Sequence, residues 1–550
     1  MTPLSPLAQQ TAARTHAAAP WRTWCCPLHF MGGFSPDRDA RRGWLASAPG
    51  AADAAALPSF SDQTPKTRSA MCTADAALTA GLMQRLDAER VLVFRNARVL
   101  TMRGWQALPA HDVWVQGGRI AAVQPTGGAL PEHALVVDAS GKTLMPGLSD
   151  IHAHPFTAPW AQAFAGMVQG GGDGQWYVLP YALQLWELLA CGITRIEVMA
   201  GCPDALWLRD SVRNGQLAGP RMAVGSPLVD GAPLIHTPLM SYAVADLEGG
   251  RQAGERIADL GYDFAKPYSH LPADGYEGLM QVLQRRGVRV MGHVPVSVGV
   301  EAAVRRGQHG IAHSAELFYN ERGPERHDPA RLERLARVMA EHGTWLQGTV
   351  VVSERVEALG GRRPLGSVDE AHMPTFHQTV FHRDSPMMNM MAANPEKQYL
   401  FDETYRLSCL AVAAAHRAGV RVLTGTDYPN PYVVAGYSLH EELVHLTQQC
   451  GLLPHEALHA STRRAAEYHG GGAEDGLVAV GGIGDLVLLD GNPLDDIHHT
   501  RRVHAVLAGM HYIGPDALAA GKARIAQAYA AMPPVVMAMP PQAAAPEAAS

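Results

Sequence analysis

From Leu148 to Tyr428, short runs of apolar and β-branched residues alternate with longer segments whose apolar positions recur at helical spacing. Strands that alternate with helices pair in parallel, because a chain returning through a helix re-enters the sheet from the same end. The strand leading to His152 is followed by candidates at 192–199, 221–229, 262–268, 288–295, 310–316, 344–352 and 421–428, eight in all. Eight such units predict an α/β fold, a (β/α)8 TIM barrel, whose chemistry sits at the carboxyl ends of its strands.

The flanks read differently. VLVFRNARVLTM (91–102), DVWVQGGRIAAVQP and ALVVDASGKTLMPG are β-rich stretches broken by Gly and Asn, the pattern of short antiparallel strands. The same pattern returns in GLVAVGGIGDLVLLD and RRVHAVLAGMHYIG, so a small composite β-sandwich is expected, built from segments on either side of the barrel. The resulting division is a low-complexity extension (1–85), first sandwich part (86–147), barrel (148–475), second sandwich part (476–515), a helix (516–532) and a tail (533–550). Extension and tail are rich in Ala and Pro and are expected to be disordered; the first 30 residues lack the basic start and apolar core of a secretory signal. Between the last two barrel strands, 353–400 reads as a long loop carrying Met387, Met388, Met390 and Met391 beside His372, His377 and His382. Such a loop serves either as a lid or as packing against the barrel. GGGDG (170–174) lacks the Lys and Ser or Thr of a phosphate loop and reads as a loop after the first barrel strand.

Composition narrows the function. A formal charge of -7, from 52 acidic and 45 basic residues without a basic cluster, argues against nucleic acid. No apolar run reaches the roughly 18 to 20 residues of a membrane helix. Seven cysteines without a CxxC pair fit neither a disulfide framework nor a thiolate zinc site, so a cytoplasmic location is expected. Cys191, Cys202, Cys409 and Cys450 are read as small buried residues.

The chemistry-bearing residues fall at the strand ends. His152 and His154, two apart on one strand, share a face and aim at one point, half of a metal site. Lys266 ends the fourth candidate strand, His293 the fifth, His313 the sixth and Asp427 the eighth. Each has an ordinary reading alone; six convergent positions of this kind point to a metal centre. His236, Tyr268, His270 and Tyr428 follow strand ends and are candidates for substrate contact.

PGLSDIHAH, DFAKPYSHL, GHVPVSVGVEAAVRRGQHGIAHSAE, LTGTDYPNP and GGIGDLVLLDGNPLDDI together resemble the amidohydrolase superfamily over about 90 to 515, within it the imidazolonepropionase-like and prolidase-like branch. The resemblance implies two divalent ions, zinc above all. His152, His154 and Asp427 would hold one, His293 and His313 the other, with Lys266 bridging both as its carbon dioxide-derived carbamate. It implies a metal-activated hydroxide and Asp427 as proton shuttle, hydrolysing the C–N amide bond of a peptide-like, N-acyl amino acid or cyclic amide substrate. Lys266 favours the binuclear branch, although Pro267 stands where that branch suggests a β-branched residue. Three alternatives keep the scaffold: hydrolysis of an ester, lactone or phosphotriester, a mononuclear imidazolonepropionase-like enzyme, and a non-catalytic interaction protein. A small molecule is the expected partner, with no nucleic acid and no membrane, and a homo-oligomer is left open.

Overall fold

In chain order, six strands lead up to the barrel: β1 (Gln84–Arg85), β2 (Leu92–Leu100), β3 (Ala107–Gln116), β4 (Arg119–Pro125), β5 (Leu135–Asp138) and β6 (Thr143–Pro146). Next come β7 (Leu148–Ala153), β8 (Val168–Gly170), β9 (Ile193–Val198), β10 (Arg221–Asp230), β11 (Ser241–Ala243), β12 (Phe264–Pro267), β13 (Arg289–Gly292), β14 (Gly310–Ile311), β15 (Trp345–Gln347) and β16 (Val422–Leu423). The chain ends with β17 (Leu486–Leu489), β18 (Val503–Ala508), β19 (His511–Ile513) and β20 (Val535–Met537). This computed structural model describes residues 77–155, 168–170, 180–236, 240–319, 327–373, 378, 382, 384–385, 401–532 and 535–537. Most of the N-terminal extension, GGGDG beyond Gly170, His377, the methionines Met387, Met388, Met390 and Met391, and the end of the tail lie outside the described residues.

The eight strand candidates become β7, β9, β10, β12, β13, β14, β15 and β16, parallel neighbours in that order, with β11 added beside β10. Backbone bonds from Ile151 N to Thr424 O (3.0 Å) and from Asp427 N to His152 O (2.7 Å) join the last strand to the first and close the ring. Side chains two apart on a strand share a face. Phe264 and Met291 therefore point the same way as Lys266 and His293, and they meet Trp345 and Leu423 in one buried apolar cluster below the polar strand ends. Helices fit the outside where the sequence allows close approach. Asp246 caps the helix Leu247–Leu260 by accepting from Gly249 N at 2.9 Å, and Gly261 ends it in a left-handed turn. A Cβ at Gly250 would lie 2.0 Å from Gly275 O, so glycine is required where this helix crosses Ala273–Arg286. Among the described residues no helix is long and apolar enough to cross a membrane.

The ladders are shorter than their candidates. The 344–352 run pairs only over Trp345–Gln347, and a helix begins at Val350, inside what reads as one strand. Thr349 takes φ 46, and the buried Glu442 carboxylate accepts Val351 N at 2.8 Å, capping the new helix. Tertiary contacts thus override the β preference of three consecutive valines. The 353–400 loop accordingly starts as a buried helix, Val350–Leu359.

The flanking segments meet in a separate sheet, ordered β1, β19, β18, β17, β6, β2, β3, β4 with β5 also on β2. β17 pairs antiparallel with β6 from Leu486 opposite Pro146 to Leu489 opposite Thr143, which joins the two halves of the composite unit. The pairing is mixed where antiparallel strands were expected. β5 and β6 lie end to end along one edge of β2, both parallel to it, because the chain passes β3 and β4 before returning. Phe94, Val113, Leu144, Leu486 and Leu507 belong to its own buried core. One residue, Gly147, separates β6 from β7, so this sheet feeds directly into the strand that carries His152.

Candidate metal centre

The closed ring brings most of the predicted site residues to one end. His152, His154, Lys266, His293, His313 and Asp427 line one narrow cavity with His236, Tyr268, Ala200 and Leu228. His152 Nε2 and His154 Nε2 lie 3.3 and 3.1 Å from Asp427 Oδ1. Ligand atoms of these three residues all fall within 4.8 Å of one another, and all three side chains are buried. Lys266, 1% exposed despite the proline after it, places Nζ 3.5 Å from His152 Nε2. The His313 ring is 4.3 Å from that of His152 and 4.9 Å from that of His293. His313 and Asp427 adopt left-handed backbone, φ 69 and 61, at the points where the chain leaves the ladder. Such conformations are costly for side chains other than glycine and cluster at functional sites.

Electrostatics keep the set ready for a cation. Burial, reinforced by the charge of Lys266, pushes the His152 imidazole down to about 4. Burial also lowers His154. Both rings are therefore neutral near pH 7, as metal ligation requires. Burial alone would raise Asp427, but His152, His313 and His154 outweigh it and hold the carboxyl well below the usual range. Asp427 Oδ2 is buried without a hydrogen-bond partner among the described residues. A buried carboxylate oxygen left so is costly, and a divalent ion bound by His152, His154 and Asp427 would satisfy it. The donor set fits such an ion.

Two predicted contacts do not reach the cavity. His270 donates its backbone N–H to Asp230 Oδ1 (2.8 Å) and its Nδ1–H to Pro233 O (2.8 Å), which ties it into the loop. Tyr428, one residue past Asp427, is buried outside the cavity, and its backbone oxygen accepts His154 N at 2.9 Å. His236 and Tyr268 do reach it, Nε2 and hydroxyl 3.0 Å apart. Burial pushes His236 down to about 3.

Sequence reasoning missed the supports. Asp150 accepts Thr426 Oγ1 (2.6 Å), Thr426 N (3.0 Å) and His152 N (3.2 Å), which clamps the first strand to the last beneath the ligands. Its signal was available, since it lies two before His152 on the same strand face. Glu316 accepts His293 Nδ1–H at 2.9 Å, Thr349 Oγ1 lies 2.8 Å from His313 Nδ1, and Gln347 Oε1 accepts His152 Nδ1–H at 2.7 Å. Hydrogen bonds to the distal ring nitrogen orient ligand histidines.

A closed parallel barrel with His152 on its first strand, His154 just past it and a carboxylate after its last, converging at the carboxyl ends, has the arrangement of a barrel enzyme whose donors fit a metal ion. The amidohydrolase family model matches residues 143–511, and the chain belongs to that family, enzymes that hydrolyse carbon–nitrogen bonds. Imidazolonepropionase from Chromobacterium violaceum is 25% identical over 433 residues, covering 73% of this chain and 91% of that protein. An adenine deaminase from Chelativorans sp. is 46% identical over 67 residues only, 12% of this chain and 11% of that protein. A crystal structure of a Xaa-Pro dipeptidase superposes with a TM-score of 0.58 at 16% identity, over 77% of this chain and 100% of that one, a likeness of fold.

Proposed function

We propose that this protein is a binuclear metal-dependent amidohydrolase that cleaves the C–N amide bond of a small molecule: peptide-like, N-acyl amino acid or cyclic amide. The observation that carries the reading is the buried group of His152, His154 and Asp427 with the orphaned Asp427 Oδ2. His293, His313 and Lys266 on the same cavity supply donors for a second ion, with Lys266 as the bridge once carbamylated. A fully buried ammonium beside imidazoles carries a large desolvation cost, and addition of carbon dioxide to the neutral amine replaces it with an anion. Divalent ions in such a site supply Lewis-acid polarisation and a water of lowered pKa. The side chains do the rest. Asp427 accepts the proton of the attacking water and passes it to the leaving nitrogen. Neutral His236 would donate Nε2–H to the Tyr268 hydroxyl, which leaves that hydroxyl to donate to the substrate's carbonyl oxygen from the other wall. The long relative's name, imidazolonepropionase, and the fold neighbour's, Xaa-Pro dipeptidase, support cyclic amides and dipeptides as first candidates. The four described cysteines are buried, and none is in a disulfide with another described residue; a cytoplasmic setting is part of the proposal.

A mononuclear, imidazolonepropionase-like enzyme is the second reading. It is favoured by the fact that only His152, His154 and Asp427 form so tight a ligand group among the described residues. Elemental analysis of protein prepared without chelator separates the two. Two ions per chain are expected, falling to one or none in Lys266→Ala; a content that stays at one with metal in excess selects the mononuclear enzyme. Screening Xaa-Pro dipeptides, N-acyl amino acids, cyclic amides and lactones then identifies the bond, and turnover of lactones alone rejects the amide assignment.

A further inference from the structure

Three of the site histidines are held from behind by three different groups. Glu316 can only accept when ionised, and Thr349 can donate or accept. Gln347 is ambivalent in another way: its amide presents an oxygen on one side and N–H groups on the other. What faces His152 is therefore decided on the far side of the amide. There Gln347 Nε2 donates to the Ile151 carbonyl and to Glu197 Oε2, the latter at 3.1 Å. Gln347 and Glu197 are both 0% exposed, so no solvent competes for these bonds. Turning the amide over would set its oxygen against the Ile151 carbonyl, which can only accept. With Oε1 toward the ring at 2.7 Å, His152 carries its proton on Nδ1 and directs the Nε2 lone pair into the cavity.

The alternative tautomer has a partner waiting. Nε2 lies 3.3 Å from Asp427 Oδ1, so a proton on Nε2 would be shared with Asp427, and one hydrogen bond would mask two ligand atoms at once. We propose that Gln347, fixed by Glu197, is a positioning pair that holds His152 in its metal-binding tautomer and so sets the metal affinity of the His152, His154 and Asp427 group. The pair reaches the centre from two other strands, β9 through Glu197 and β15 through Gln347. Glu197 is steadied in turn by the Tyr468 hydroxyl, 3.5 Å from Oε1.

The inference rests on His152 as a metal ligand. It is tested by the zinc dissociation constant, measured by competition with a chromophoric chelator, alongside the melting temperature of the metal-free protein. Gln347→Met matches the side chain's size without its hydrogen bonds and is expected to weaken zinc binding about 10- to 100-fold. Glu197→Met weakens it in the same direction by less, and Glu197→Gln, which keeps an acceptor oxygen, restores affinity to within about threefold of wild type. A purely structural role lowers the melting temperature and leaves the dissociation constant alone, which overturns the proposal. So does equal affinity in wild type and Gln347→Met. Should Gln347→Met fail to fold, Glu197→Met against Glu197→Gln makes the same comparison. A wild type that takes up no zinc or other divalent ion overturns the proposed function as well, whereas ions bound equally by all variants overturn only the positioning pair.

Discussion

Asn96 in β2 and Asp427 after β16 both adopt left-handed backbone, φ 60 and 61, yet they serve different ends. Asn96 sits at a register shift between β2 and β3, and its N–H is taken by Asp112 Oδ1 at 2.9 Å, so the irregularity is absorbed and the sheet continues over an apolar core. At Asp427 and His313 the irregular residue is itself a candidate ligand, and the ladder ends there. The β-unit spends its strands on packing, while the barrel packs below and uses the last residues of each strand to gather buried polar groups. Such groups are stable only where each one's partners are supplied, which is why Asp150, Glu316, Gln347 and Thr349 crowd beneath the cavity.

The contrast is sharpest if each region fails in its own way. Asp427→Asn should lower turnover of the substrate found by screening by about 10²- to 10⁴-fold, with an unchanged circular dichroism spectrum. Activity near wild type would remove Asp427 from proton transfer. Phe94→Ala, in the core of the β-unit, should cost about 3–5 kcal/mol of stability in denaturant titration and leave turnover per folded molecule unchanged. A lost metal centre in that variant would show the two regions to be one cooperative element.

A smaller effect tests whether buried titratable groups matter away from the rim. His440, in the helix Tyr437–Gln448 and 2% exposed, is pushed from 6.5 down to about 3 by burial, then by the charges of Arg501 and Lys522. Its folded pKa is depressed, so above pH 6.5 the ring is neutral in both states. As pH falls from 6.5 toward 3 the unfolded chain takes a proton that the folded one refuses, and stability is lost. Melting temperature against pH should therefore fall less steeply over that window in His440→Gln; parallel curves would assign the acid sensitivity elsewhere. The least effect is expected at the exposed pair Arg305–Glu301, 2.7 Å apart on one helix. Arg305→Ala should change stability by only about 0.3–0.5 kcal/mol, and a larger loss would mean that the outer helix layer is less forgiving than the rim.

Periodicity alone was enough to find the eight barrel strands, because the apolar requirement of a doubly covered parallel strand is written locally. Parity was enough to pair His152 with His154, and the polar residue at each strand end was enough to name Lys266, His293, His313 and Asp427. Where each ladder stops was not legible. Val350–Val352 has the residues of a strand and folds as a helix, because Glu442, far along the chain, caps it. Tyr428 and His270 carried the same local signal as Tyr268 and His236, and only the turn of the chain after each strand decided which pair faces the cavity. The supports were hidden for a related reason. Gln347 and Glu197 lie 150 residues apart, and a hydrogen bond between them has no periodicity to betray it. Local sequence locates each barrel strand and the face it shows, though not where it ends, since parity and periodicity depend on neighbours two to four residues away. The direction of a side chain at a strand end, and the partner that fixes its proton, depend on groups that only closure of the barrel brings together.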